Sequence, residues 1–248
     1  MDNTSVFNNI DETLTIGEVV ADNYRMAEVF KKFEIDFCCG GGRSLKETCE
    51  ENGVDIDVVT EALREVELRG KHVEYDFENW KLEQLIDHIQ DKHHSYVKES
   101  IPIISEYALK VKNVHGENKP YVIEIANHFL GLTEELTSHL YKEENILFPF
   151  IKKMEMAKVA GESIEIPFGS VQGPISAMLH DHDRAGDELK VIRKLAESFK
   201  TPDDACATHM VLYGMLKDFE TDLMMHIHLE NNILFPKAIT LENDMTNL

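Results

Sequence analysis

Two segments of this chain carry the same chemistry in the same order. His139-Leu-Tyr-Lys-Glu143-Glu-Asn-Ile-Leu-Phe-Pro149 returns 87 positions later as His226-Ile-His-Leu-Glu230-Asn-Asn-Ile-Leu-Phe-Pro236. Both fit H-x-x-x-E-x-N-I-L-F-P. On a helix, residues four apart lie one turn apart on a single face, so each copy aims an imidazole and a carboxylate at one region of space. A lone pair of this kind is ordinarily a solvated contact. Two copies within a duplicated segment point instead to a dinuclear metal site, each helix supplying half of a symmetric donor set.

Two further helical stretches supply partner histidines, His93-His94 in one and His180-Asp181-His182-Asp183 in the other. The offset from His94 to His182 is 88, close to the 87 of the repeat, so one half of the region maps onto the other through a pseudo-two-fold axis. Spacing thus assembles His94, His139, Glu143, His182, His226 and Glu230, with three side chains per metal and bridging carboxylates. Imidazole with carboxylate suits iron or manganese, and no cysteine is placed for a tetrahedral structural zinc. Exchangeable positions would remain for dioxygen, nitric oxide, hydroxide or oxide.

Two ferric ions bridged by one oxide and held by two carboxylates would still carry roughly +2, which favours further acids nearby. Glu135 and Asp222 each lie one turn before a repeat histidine and are expected to orient imidazoles or move protons, with Asp181 a weaker third. His88 reads as surface or filler, and His93, His180 and His228 as non-ligands. His128 reads as a packed core residue, while His72 and His115 read as loop residues without a role. Pro149 and Pro236 are expected to kink or end their helices just past the site.

Cys38-Cys39 precedes three glycines, Arg43 and a helix start. A cation and a helix N-terminus can activate a thiol, but two small residues filling a compact turn fit the spacing equally well. The glycines predict a turn with positive φ. Cys49 and Cys206 are expected to be buried structural thiols.

These residues need helices to hold them, and the sequence supplies little else. The chain has 248 residues, 43% of them hydrophobic, enough for two cores. Apolar positions over Thr15–Phe33 recur at helical spacing. Ser44-Leu-Lys-Glu47 matches a capping box, and a short helix follows Asp55. From Trp80 onwards four long apolar stripes predict helices near 80–112, 121–153, 170–199 and from 201, the last opened by Thr201-Pro202-Asp203-Asp204. The expected fold is all-α: a small helical domain (1–72), a linker (73–79), and an up-down four-helix bundle (80–248). A net charge of −21 argues against nucleic acid and anionic membranes as partners. The absence of an apolar stretch of spanning length predicts a cytoplasmic chain whose cysteines stay reduced.

Asp36-Phe-Cys-Cys-Gly-Gly-Gly, the two repeat segments and Asp181-His182-Asp183-Arg-Ala-Gly186 together resemble the Repair of Iron Centres family, iron–sulfur cluster repair proteins with a hemerythrin-like bundle. The resemblance covers almost the whole chain. It implies a non-haem centre of two iron ions, oxo- or hydroxo-bridged, held by four histidines and two glutamates. It selects His94 over His93 and His182 over His180. It also implies a role in restoring clusters damaged by nitric oxide or peroxide, as iron donor, as nitric oxide scavenger or reductase, or both. The partners would then be damaged iron–sulfur proteins or apo-acceptors, and a homodimer is compatible with them. Cys38 and Cys39 match the family's cysteine pair, implying redox or iron-transfer work, and Glu135 and Asp181 match acids lining the approach to the metals. Oxygen-carrying hemerythrins have a further histidine where this chain has Gly186, so reversible dioxygen transport is less expected. A module that only binds or senses dioxygen or nitric oxide is the alternative.

Overall fold

The computed structural model of the chain describes residues 12–68, 75–165 and 169–246. His72, part of the expected linker and part of the loop near 161–169 lie outside these. The chain forms two compact units, one of residues 1–81 with 227–236 and the other of 82–226 with 237–248. No β-strand occurs among the described residues, and no helix is long and apolar enough to cross a membrane.

The first unit contains α1 (Ile16–Asp22), α2 (Ala27–Lys32), α3 (Leu45–Asn52) and α4 (Ile56–Leu68). Thr15 and Ser44 each form a full capping box, with Glu18 and Glu47 returning the bond to the cap. The two caps also pair with each other in an isolated antiparallel bridge, which fixes the starts of α1 and α3 side by side. The single helix expected over 15–33 is in fact broken at Asn23. Its backbone is extended there (φ −148°, ψ 97°) and its side chain accepts from Arg25 N, so a 3-10 turn, Tyr24–Met26, separates α1 from α2. Ile16, Val20, Phe30, Ile35, Leu45 and Leu63 fill the core.

The glycines after Cys39 do not adopt positive φ; among the described glycines that conformation belongs to Gly53, Gly161 and Gly169. They serve close approach instead. A Cβ on Gly41 would stand 2.8 Å from both the Phe37 carbonyl and Asn232 Oδ1, and one on Gly40 would stand 2.9 Å from the Asp36 carbonyl. Gly41 O accepts from Gly17 N at 2.7 Å, so backbone meets backbone where a side chain has no room.

Four long helices follow. α5 covers 82–115 as Leu82–His88, a π-helical turn Ile89–His94, and Ser95–His115. α6 covers 120–160 as Pro120–Lys142, a π-turn Glu143–Leu147, and Phe148–Ala160. α7 is Gln172–Leu195, without interruption. α8 covers 207–246 as Ala207–Leu229, a π-turn Glu230–Leu234, and Phe235–Thr246. In the second unit, α6 packs against both α5 and α7. Leu85, Ile104 and Ala108 of α5, Ile125, Phe129 and Leu136 of α6, Ile175 and Leu189 of α7, and Phe219 and Leu223 of α8 are buried.

Pro149 and Pro236 do not end their helices, which run on to Ala160 and Thr246. Each is the second residue after a π-turn. The wider turn changes the hydrogen-bonding register where a proline ring would strike the carbonyl one α-turn earlier. The last long helix also starts later than expected. Ala205 N bonds Pro202 O at 3.0 Å, a turn rather than a helix, and Asp204 pairs with Lys119 instead of capping a first turn. Between α7 and α8 three consecutive non-glycine residues, Glu197, Ser198 and Phe199, hold φ of 48°, 54° and 62°. Ser198 N closes onto Arg193 O at 2.9 Å, while the Arg193 guanidinium covers the Phe199 ring and pairs with Glu220. These contacts hold in place a left-handed run that β-carbons disfavour.

Candidate metal centre

The six donors selected by spacing lie together in the interior, none more than 2% exposed. His94 Nε2 stands 3.1 Å from His226 Nε2, and His139 Nε2 stands 3.0 Å from His182 Nε2, so the imidazoles form two pairs. Glu143 Oε2 lies between them, 3.5 Å from His94 Nε2 and 3.3 Å from His139 Nε2. Donor atoms of His94, Glu143, His226 and Glu230 lie within 4.8 Å of one another, as do those of His139, Glu143, His182 and Glu230. The two groups share both glutamates.

Electrostatics requires the charge there to be balanced or neutralised. Two fully buried carboxylates face four imidazoles, and burying an ionised carboxylate without a counter-charge is prohibitively costly. Two lysines close to the histidines are committed to other acids: Lys98 holds Glu144 at 2.6 and 2.7 Å, and Lys142 holds Asp181 at 3.0 Å. Protons or metal ions must therefore balance Glu143 and Glu230. Nitrogen pairs at about 3 Å, each beside two shared carboxylates, are donors that could hold a metal ion.

All three π-turns touch this centre. His94 closes one, and Glu143 and Glu230 open the other two. An extra residue in a turn re-aims the side chains around it, and π-turns concentrate at functional sites. Hydrophobic periodicity does not reveal them. One signal was available: both glutamates precede a proline by six residues, at a spacing that a regular helix accommodates poorly.

The acids around the imidazoles are arranged differently from the expectation. Glu135 does not face the centre; it is 41% exposed and paired with Arg184. Asp222 accepts from His93 Nδ1 at 2.9 Å rather than from His226, and the His93 ring stacks on His226 at 6.1 Å, so Asp222 acts one ring removed. Asp181 Oδ2 lies 3.5 Å from His139 Nδ1. The residue missed by spacing is Glu144, whose Oε1 lies 2.8 Å from His94 Nδ1. Glu144 with Lys98, and Asp181 with Lys142, form two matching clamps, one on a histidine of each pair. Burial works against ionisation of both acids. The lysine and imidazole contacts outweigh it and hold each carboxyl below its ordinary range. Glu144 directly follows a repeat glutamate, so a carboxylate neighbouring a ligand was the available signal.

Other histidines divide plainly. His180 is exposed. His88 is half-buried against the His93 ring, and burial pushes it down to about 4. His128 pairs with Glu188 at 2.7 Å and is half-exposed rather than packed in the core. His115 is the last residue of α5, not a loop residue.

In the first unit, Asp36 Oδ1 accepts from the backbone N–H groups of Cys38, Cys39 and Gly40 at 3.1, 3.0 and 3.3 Å, shaping the loop. The two thiols form no disulfide, Sγ to Sγ 3.7 Å. The Cys39 hydrogen bond, burial and the charges of Cys39 and Asp36 push the Cys38 thiol well up, so Cys38 is protonated at neutral pH. Asp36, Cys38 and Cys39 place three donor atoms within 4.8 Å. The Cys38 carbonyl accepts from Asn232 Nδ2 at 3.3 Å, and Asn232 Nδ2 also meets His228 Nδ1 at 3.0 Å.

Comparison with known proteins agrees with this geometry. Residues 85–238 match the hemerythrin HHE cation binding domain, and residues 12–67 match a domain of unknown function, DUF542. The iron-sulfur cluster repair protein YtfE of Escherichia coli O81 is 35% identical over 228 residues, 92% of this chain and 97% of that protein. Its namesake in Dickeya chrysanthemi is 36% identical over 225 residues, 91% and 96% of the respective chains. The chain belongs to this family. Within the family's hemerythrin domain lie all six candidate ligands and both lysine clamps, while its N-terminal domain holds the Cys38-Cys39 loop.

Proposed function

We propose that this chain is a non-haem di-iron protein acting in the repair of iron–sulfur clusters damaged by nitrosative and oxidative stress. One observation carries the reading: two groups of buried donors, each with two histidines, share Glu143 and Glu230. His94 with His226 would hold one iron and His139 with His182 the other, the glutamates spanning both. Iron held so would supply a redox-active centre with open positions for a small ligand. The protein's own part is to fix the imidazoles through Glu144 and Asp181 and to exclude water with the buried Phe148 ring stacked on His94. Gly186, one turn beyond His182 and buried, offers no further donor, which favours a labile centre over a dioxygen carrier. Asp36, Cys38 and Cys39 are the reading's candidates for receiving or passing iron.

Iron analysis with Mössbauer spectroscopy tests the metal, and recovery of a cluster enzyme after nitric oxide exposure tests the activity. Two coupled irons per chain are expected, with recovery accelerated by the protein and not by His226→Ala. One zinc per chain would overturn the di-iron centre. Equal rescue by His226→Ala would separate repair from that centre.

A further inference from the structure

The second unit holds a cluster of nitrogen and sulfur donors that the di-iron reading does not use. His115 ends α5, 21 residues after His94, about 32 Å along the helix axis from the metal centre. Its Nε2 lies 3.1 Å from Cys206 Sγ. Cys206 is not the buried structural thiol expected from sequence. It is half-buried and caps α8, its carbonyl accepting from His209 N at 3.0 Å and Met210 N at 3.1 Å.

His209, three residues beyond Cys206, is the independent observation. It is 0% exposed, and neither ring nitrogen has a hydrogen-bond partner. An imidazole buried with both nitrogens unsatisfied costs stability unless it has a task. Its ring centroid lies 6.0 Å from that of His115, so the two imidazoles are neighbours. Tyr213 and Tyr121 pack against it at 4.6 and 6.4 Å, and Asp204, held by Lys119, is the nearby acid.

We propose that Cys206, His115 and His209 form a second metal site for a borderline-soft divalent ion of the zinc type, separate from the di-iron centre. Sγ and the His115 nitrogen already face one another. His209 completes the set by turning towards them, a rotation that breaks no hydrogen bond. One thiolate and two imidazoles suit such an ion, with a water as fourth ligand. Binding forms the sulfur–metal bond as the Cys206 proton leaves to solvent, so uptake releases one proton from the thiol.

Cobalt(II) is the probe, added to the full-length iron-loaded protein. A sulfur-to-cobalt charge-transfer band is expected, with proton release on binding. Cys206→Ser should abolish the band, whereas a Cys38→Ser, Cys39→Ser double variant, which removes the other thiol cluster, should keep it. His209→Gln and His115→Gln should each weaken cobalt binding by about tenfold or more, roughly 1.4 kcal/mol. Iron content and circular dichroism of each variant check that the fold is intact. A band that survives in Cys206→Ser, or unchanged affinity in folded His209→Gln, overturns the site.

Discussion

Glu144→Gln isolates what a charged clamp contributes to the metal centre. Glu144 is the carboxylate on His94 Nδ1 at 2.8 Å, and it also takes two lysine bonds, at 2.6 and 2.7 Å. Glutamine keeps an acceptor for the imidazole N–H but removes the charge that makes His94 a stronger donor. Loss of such an outer carboxylate commonly lowers metal affinity by about 10- to 100-fold. Two facts place this one near the lower end. The side chain is 21% exposed, and Lys98 already offsets its charge. About tenfold weaker iron binding is therefore expected, roughly 1.4 kcal/mol. Asp181→Asn should cost less, since its imidazole contact is longer at 3.5 Å. The assay is competition for ferrous iron against a chromophoric chelator, with Glu135→Gln as control. Glu135 also lies beside the bundle but pairs with Arg184 at the surface, so its variant should bind as wild type does. If Glu144→Gln binds iron like wild type, or if Glu135→Gln loses as much, orientation through the clamp is refuted.

The donor set was legible because duplication writes the same spacing twice. His139 and Glu143, His226 and Glu230 are fixed by helix periodicity alone, and the offset to His94 and His182 adds the partners. What surrounds the donors was less legible, because side-chain direction depends on the turn beneath it. Glu135 and Asp222 precede the repeat histidines by one turn, yet one turns outward to Arg184 and the other reaches across to His93. Glu144 was hidden for the opposite reason: as the neighbour of a ligand, a regular helix would point it away, and it sits in a π-turn. Charge competition moved the start of α8, since Lys119 holds Asp204 across the bundle and leaves Cys206 as the cap. Break points within short helices are equally local, as Asn23 shows by capping Arg25 instead of continuing α1.

Two further outcomes test the first unit. Gly41→Ala should destabilise it by about 1–3 kcal/mol, because the added carbon meets the Phe37 carbonyl as well as the Asn232 side chain. Gly42→Ala, where a Cβ would have nothing within 4 Å, should be near neutral in the same urea denaturation. The pH dependence of stability should carry the signature of His228. Burial, partly opposed by the Phe37 backbone, pushes its imidazole down to about 4 from an ordinary 6.5. Between those values the unfolded chain binds a proton that the folded chain refuses, so stability rises with pH across the window and falls on acidification. From pH 7 to pH 5 the loss from this residue alone is about 2 kcal/mol; it goes on growing through pH 4, is complete below that, and is absent above 7. His228→Asn removes the titrating group while keeping an amide for Asn232 to meet, so the variant's stability should fall less over that interval. Equal slopes for wild type and His228→Asn would mean that the imidazole is already protonated in the folded state, against its burial on the Phe37 ring at 5.9 Å.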